Sequence, residues 1–333
     1  MPPVAVTLLF ADGVASRIDA EPGSTVVAAA ALAGLTLLTD CSNGRCGTCT
    51  ARLCSGAVEL EGYDPAVLPD EDRADGAILP CVARVTGPCV VELPYDHAEA
   101  SGEEALPMHC RVLAVEAVAE EAVRLVLEAP HPVAFEPGQY LRIRVPGTEH
   151  WRSYSMANGS GTSRLEFFVR TVPGGVFSEW LRHQAAPDDI LEASAPRGSF
   201  FLRDEARPRL FVAGGTGLAP FLSMLRRIEA EPALQRQPTT LLVGARSPRH
   251  LIAQAELDAL RASVPGLQVR QAAEADAGSA LHAGYATELI ATLGLAVDTR
   301  VYLCGPPPMV DAGRSAAAAA GLARGDVLCE RFA

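Results

Sequence analysis

A chain of 333 residues has room for two or three domains of ~150 residues each, and its 49% hydrophobic content is that of a globular protein. The longest apolar run, Val26 to Leu38, falls short of the ~18 residues that cross a bilayer, and the N-terminus MPPVAVTLLF alternates without a basic flank, so neither a membrane span nor a secretory signal is expected. The net charge of -12 is lopsided: five Arg face fourteen Asp and Glu in residues 1–100, a surface that repels nucleic acid and suits either a basic protein partner or plain solvation. Every basic residue is Arg, which together with the Ala-rich segments reflects base composition and not function.

In chain order, Val4–Leu9 and Val14–Asp19 alternate around an ADG turn and predict a β-hairpin. PGSTVVAAAALAGLTLL then offers Ser24 or Thr25 as an N-cap, an Ala/Leu helix, and Gly34 as its stop. Strand signals return near Val58, Ile78 and Val90, and Pro94–Pro107 is polar, charged and bounded by prolines, the composition of a linker. Beyond it, CRVLAVEAVAEEAVRLVLEA, QYLRIRVPG, SRLEFFVRTV and DILEASAPRGSF are short β-like runs with Gly/Pro punctuation, the pattern of a small antiparallel barrel. After Arg207 the texture becomes apolar strand, Gly-rich turn and helix, repeated, which predicts a parallel sheet wrapped by helices.

Chemistry concentrates first in TDCSNGRCGTCTARLCSG. Cys41, Cys46 and Cys49 stand at C-x4-C-x2-C spacing with Cys81 further on, the spacing of plant-type [2Fe-2S] sites, in which four thiolates hold two irons and two sulfides. Gly44 and Gly47 let such a loop curl so that N–H groups face the sulfurs. Zinc is the rival reading, but the second C-x2-C knuckle is missing; a disulfide fits poorly with the expected cytoplasmic compartment, where thiols stay reduced. Cys54, Cys89, Cys110 and Cys329 read as small buried hydrophobes, Cys54 as a bystander to the site. None of the seven scattered His is assigned to metal.

WRSYSMAN sets Arg152, Tyr154 and Ser155 at the end of a strand, and VPGGVFSEWL sets Gly174 and Gly175 before a helix starting near Val176. A guanidinium grips pyrophosphate with paired hydrogen bonds, and a helix start with Ser178 offers N–H and hydroxyl donors to phosphate. LFVAGGTGLAPFLSML is strand, Gly-rich turn and helix, without the third Gly of the G-x-G-x-x-G fingerprint because Pro220 stands there. VYLCGPPPM ends a second apolar strand at Cys304 and Gly305, and ligands of open α/β sheets bind at such strand ends.

With CSNGRCGTC plus Cys81, RSYS, GGTGLAP and CGPPPM in that order, the whole chain resembles the NADH-dependent reductase components of ring-hydroxylating dioxygenases, of benzoate and anthranilate type. That resemblance implies a multidomain α+β and α/β protein: a β-grasp [2Fe-2S] ferredoxin domain (1–96), a linker (97–107), a six-stranded antiparallel FAD-binding β-barrel (108–206) and a doubly wound parallel-sheet NAD-binding domain (207–333). Cys41, Cys46, Cys49 and Cys81 would ligate the cluster. Arg152, Ser153, Tyr154 and Ser155 would hold FAD, with Val169, Arg170, Thr171 and Val172 and then Gly175, Val176, Phe177 and Ser178 lining the flavin and its pyrophosphate. Gly214, Gly215, Thr216 and Gly217 would meet NADH, beside Cys304, Gly305 and Pro306. Ser155, Cys304, Glu330 and Phe332 would surround the reacting rings, Phe332 either covering the flavin or packing in the core. The implied partner is a terminal oxygenase, of Rieske dioxygenase type or the diiron hydroxylase of a phenol, toluene or alkene monooxygenase; a zinc- or nucleotide-binding regulatory protein without redox turnover is the reading from another class. GARSPRHL puts Arg246 and Arg249, and no acid, after the second strand of the last domain, so NADH is favoured over NADPH on resemblance alone.

Overall fold

The computed structural model describes residues 2–101 and 107–332, and contacts divide the chain into two compact units, Met1–Ala105 and Leu106–Ala333. No helix among the described residues is long and apolar enough to cross a membrane.

In the first unit the predicted hairpin forms as β1 (Val4–Leu9) and β2 (Ala15–Ala20), paired from Val4 with Ala20 to Leu9 with Ala15. The helix α1 (Val26–Leu32) starts at Thr25, whose hydroxyl accepts the Ala28 N–H at 3.2 Å, and stops before Gly34 at φ +79°. There follow β3 (Ala51–Ser55), β4 (Val58–Leu60), α2 (Asp70–Ala74), β5 (Ala77–Ile78), β6 (Ala83–Val85), β7 (Cys89–Glu92) and α3 (His97–Ser101). The five-stranded sheet runs β2-β1-β7-β3-β5, with β1 and β7 parallel at its centre, and β4 pairs with β6 apart from it. Alternate residues Val6, Leu8, Ile18 and Val91 bury one face against Val26, Ala29 and Ala30 of α1, which is the β-grasp arrangement.

Two expectations change here. Pro94–Pro107 does not behave as linker from its start: Tyr95 and Ala100 are buried in the first unit's core, Thr36 N–H donates to Ala100 O at 2.7 Å, and the Tyr95 hydroxyl accepts the buried Leu38 N–H at 3.1 Å. Polar composition concealed two apolar anchors; residues 102–106 lie outside the described part. Cys54 is exposed instead of buried, because the β3–β7 register slips between Leu53 and Ser55 and the extra residue of that bulge turns outward.

The second unit begins with β8 (Met108–Ala119), β9 (Ala122–Val133), β10 (Tyr140–Arg144), β11 (Trp151–Ser155), β12 (Thr162–Arg170), α4 (Val176–His183) and β13 (Ile190–Ala193). The six strands run β11-β10-β13-β8-β9-β12, every pair antiparallel, around Val112, Leu125, Leu127, Leu141, Ile143, Leu165 and Phe167, with Phe177 and Leu181 of α4 in the same core.

Next come β14 (Arg209–Gly214), α5 (Ala219–Ala230), α6 (Pro232–Gln235), β15 (Thr239–Ala245), α7 (Gln254–Ser263), β16 (Leu267–Ala273), β17 (His282–Ala283), β18 (Arg300–Gly305), α8 (Pro307–Ala319) and β19 (Val327–Arg331). Their sheet is wholly parallel in the order β17-β16-β15-β14-β18-β19. Along β14, Phe211 and Ala213 face a core shared with α5 and α7, while Leu210 and Val212 face one shared with α8, so the sheet is covered on both sides. The first of these cores also takes in Ala122, Ala157, Phe168 and Phe200 from the barrel and its exit, which is why barrel and sheet form one unit. The strand order reverses between β14 and β18, and the two Gly motifs end those two strands.

Tyr95→Phe removes the acceptor of a buried N–H, a loss of about 1–3 kcal/mol. The expected result is a thermal midpoint of the first unit lower by roughly 4–8 °C or more, followed by circular dichroism; an unchanged midpoint would place Tyr95 outside the folded unit.

Candidate cofactor sites

The loop between α1 and β3 gathers the expected thiols. Cys49 and Cys81 Sγ atoms are 3.3 Å apart among Val67, Leu68 and Leu79, and the half-buried Cys41 Sγ accepts the Arg45 N–H at 3.3 Å. Gly44 has φ +75°, and a Cβ there would lie 2.7 Å from Tyr63 Cβ, so the loop closes under the next segment only with glycine. Cys46 and Cys81 donate to Cys41 and hold its thiol well below the usual range, while Cys81, donating to Cys41 and Cys49, is pushed far above it. Among the described residues no three His, Cys, Asp or Glu are grouped to hold one metal ion; the four sulfurs form a string of neighbours, Cys46 to Cys41 to Cys81 to Cys49. Thiols this close either share protons or surrender them to a cationic centre, and a donor set of four sulfurs fits a two-iron, two-sulfide cluster.

On the barrel, β11 ends in the RSYS run. Tyr154 packs its ring 5.4 Å from that of Phe177, which stacks 6.1 Å from Trp180. The Arg152 side chain is exposed and donates to Trp151 O at 3.0 Å. Val169 is buried in the barrel core, Arg170 is exposed, and the Thr171 N–H donates to Glu121 O at 2.8 Å. Gly175 caps α4 without a side-chain bond, so the first N–H groups of the helix remain for a ligand. The buried Ser178 hydroxyl accepts the Val172 N–H at 3.2 Å and lies 3.1 Å from both Val172 O and Gly175 O, closing the turn at the helix start. Val172 and Val176, 48% and 63% exposed, flank the same helix start. Exposed apolar side chains beside open N–H donors and a tyrosine ring fit a flavin with its pyrophosphate.

At the sheet's reversal, Gly215–Leu218 form a 3-10 turn leading into α5. A Cβ on Gly217 would lie 2.3 Å from Cys304 O, so glycine there lets the ends of β14 and β18 meet. Gly215, at φ +55°, faces open space, as backbone cradling a phosphate must. Cys304 is fully buried, and burial followed by the Glu330 carboxylate raises its thiol well above the ordinary value. Ser155 Oγ donates to Glu330 Oε2 at 3.1 Å, and Cys304 Sγ donates to the same oxygen at 3.7 Å. Residues from β11, β18 and β19 thus meet on one carboxylate. Phe332 lies beyond β19, its N–H donating to Gly305 O at 3.0 Å and its ring half-buried against the core shared with the barrel.

One arrangement had no sequence signal. Glu121, at the tip of the β8–β9 hairpin, pairs with Arg246 after β15, and Glu274 comes to the same edge through its N–H bond to Ala245 O at 3.1 Å. GARSPRHL itself holds no acid, and its Arg246 pairs with Glu121 from the barrel hairpin.

Three domain families match in order: a 2Fe-2S iron-sulfur cluster binding domain over residues 9–86, an oxidoreductase FAD-binding domain over 109–202 and an oxidoreductase NAD-binding domain over 211–315. Such a set defines a flavin and iron-sulfur oxidoreductase. The chain is 32% identical to the toluate 1,2-dioxygenase electron transfer component of Pseudomonas putida, covering 97% of each. It is 35% identical to the anthranilate 1,2-dioxygenase electron transfer component of Acinetobacter baylyi, over 92% of this chain and 91% of that one. Among solved structures, the Amycolatopsis cytochrome P450 reductase GcoB is 32% identical with a TM-score of 0.73, covering 99% of this chain and 98% of that one. The chain belongs to the family of iron-sulfur flavoprotein reductases that serve as electron-transfer components of aromatic-ring dioxygenases and related oxygenases.

A maleimide added to the folded, cluster-loaded protein is expected to modify the exposed Cys54 first and to spare Cys304, which is buried and scarcely ionised at neutral pH, until the chain unfolds. Mass spectrometry of the labelled peptides reads the order; early label on Cys304 would contradict the burial.

Proposed function

We propose that this chain takes a hydride from NADH onto FAD and delivers the electrons singly, through a [2Fe-2S] cluster, to the terminal oxygenase of an aromatic-ring dioxygenase in the cytoplasm. The observation that carries the reading is the meeting of Ser155, Cys304 and Glu330 at the reversal of the parallel sheet, where barrel and sheet share a core. FAD, when bound, supplies the conversion of a two-electron donor into single electrons.

The protein's own residues do the rest. Arg152 and the N–H groups at the start of α4 would bind the flavin pyrophosphate, with Tyr154, Val172 and Val176 along the apolar surface; Val169 would act through its backbone, since its side chain is spent on the barrel core. Gly214, Gly215, Thr216 and Gly217 would take the NADH pyrophosphate, with Cys304, Gly305 and Pro306 bounding the nicotinamide. Ser155 Oγ holds its proton toward Glu330 Oε2, so the pair would present fixed, already satisfied polar groups where the two rings would meet. Phe332 excludes water from the same side. In the first unit, Cys41, Cys46, Cys49 and Cys81 would ligate the cluster, and the acidic charge of residues 1–100 suits a basic docking patch.

A monooxygenase partner is the second reading, favoured by the full-length similarity to a cytochrome P450 reductase. Product formation with a purified Rieske dioxygenase, a diiron hydroxylase and a P450, each supplied with this protein and NADH, distinguishes them; turnover with a monooxygenase alone would overturn the dioxygenase assignment.

Under anaerobic titration the intact protein is expected to consume about 1.5 equivalents of NADH, two electrons for flavin and one for the cluster, with an EPR signal at the end. Cys81→Ser is expected to lose that signal and consume about one equivalent while the flavin still bleaches. A flavin that stays oxidised in the intact protein would overturn the proposal.

A further inference from the structure

Glu121 occupies the left-handed region at φ +61°, uncommon for a residue other than glycine, at the turn between β8 and β9. Two backbone bonds fix the turn: Thr171 N–H donates to Glu121 O at 2.8 Å, and Glu120 N–H donates to Arg249 O at 2.9 Å. The barrel hairpin therefore rests on the loop that follows β15. There the Glu121 carboxylate pairs with the Arg246 guanidinium, and Arg170 Nη2 stands 3.9 Å from the same Oε2. Arg246 Nη2 also lies 3.1 Å from His250 Nε2, whose Nδ1 is 2.9 Å from Ser247 Oγ.

The position of this cluster gives it a consequence for coenzyme choice. β15 is hydrogen-bonded beside β14, whose Gly-rich turn begins the nucleotide site, and the end of the neighbouring strand is where dinucleotide-binding sheets meet the adenosine ribose. A carboxylate there accepts from the 2′-hydroxyl of NADH, whereas an Arg accommodates the 2′-phosphate of NADPH. Arg246 alone would favour the phosphate. We infer that Glu121, reaching across from the barrel to hold Arg246, is the residue that selects NADH over NADPH. A 2′-phosphate carries about -1.5 to -2 charges at neutral pH; to reach Arg246 it must displace Glu121 and remain beside a like charge. Selectivity is thus set by a residue 125 positions upstream of the Arg it controls, in the lobe that would hold the flavin.

This inference rests on the nucleotide site proposed above, and its test separates the two. The FAD-loaded protein is titrated calorimetrically with adenosine 2′,5′-bisphosphate and with 5′-AMP, and kcat/KM is measured for NADPH and NADH with a soluble one-electron acceptor. Glu121→Gln is expected to tighten the bisphosphate roughly ten-fold relative to 5′-AMP and to shift the NADPH:NADH ratio by a similar factor; Glu121→Asn, which suits the left-handed turn, should do the same. Adding Arg246→Ala to Glu121→Gln should abolish the gain. An unchanged ratio in both Glu121 variants, or a gain that survives loss of Arg246, would overturn the inference while leaving NADH oxidation in place. Intact protein that binds neither nucleotide and is not reduced by NADH would instead overturn the site on which it rests.

Discussion

Glu330 is only 9% exposed, and a carboxylate on so buried a residue is tolerated only with hydrogen-bond donors around it. Ser155 from the last barrel-edge strand and Cys304 from the sheet supply two of them, on a single oxygen. Satisfying that group brings the ends of β11, β18 and β19 to one point. The Gly-rich turn after β14 must then lie against Cys304 O, a contact open only to Gly217. The shared core of Phe168, Phe200, Phe211, Phe221 and Tyr302 holds the two lobes in the register that this junction needs. Losing either donor would leave a buried carboxylate short of a partner, at a cost of about 1–3 kcal/mol.

This arrangement serves a chemical purpose. A barrel that binds flavin and a sheet that binds a nicotinamide can exchange a hydride only where their ligands stack, and a low-dielectric junction keeps the site dry and its few polar groups directed. The crevice at the reversal of the strand order is where ligands of open α/β sheets bind, outside the carboxyl ends of the strands. Glu121 adds a second tie between the lobes at the loop that follows β15.

Much of this was legible from local pattern. Hairpin, helix cap, barrel strands and the strand-turn-helix repeat follow from periodicity and turn residues, and the thiol set follows from spacing, because ligand geometry constrains sequence directly. What escaped was decided by contacts distant in sequence. Tyr95 and Ala100 sit in a polar stretch, yet pack into the first core, where Leu38 N–H donates to the Tyr95 hydroxyl and Thr36 N–H to Ala100 O. Cys54 turns outward through a one-residue bulge that no alternation pattern reveals. The bonds of the Ser178 hydroxyl to Val172, which close the turn before α4, have no signal in the local pattern. The Glu121–Arg246 pair joins two lobes, and neither residue's neighbours announce the other.

The central claim is that hydride passes at the Ser155–Cys304–Glu330 junction. Stopped-flow mixing of the FAD-loaded protein with NADH and with NADH deuterated at the transferred position, for the native chain and for Ser155→Ala, tests it most directly. The account predicts that deuterium slows flavin bleaching in both, that Ser155→Ala slows it by a further ten- to hundred-fold or so, and that cluster reduction follows flavin reduction. Flavin bleaching in Ser155→Ala at the native rate, or a cluster reduced before the flavin, would contradict it.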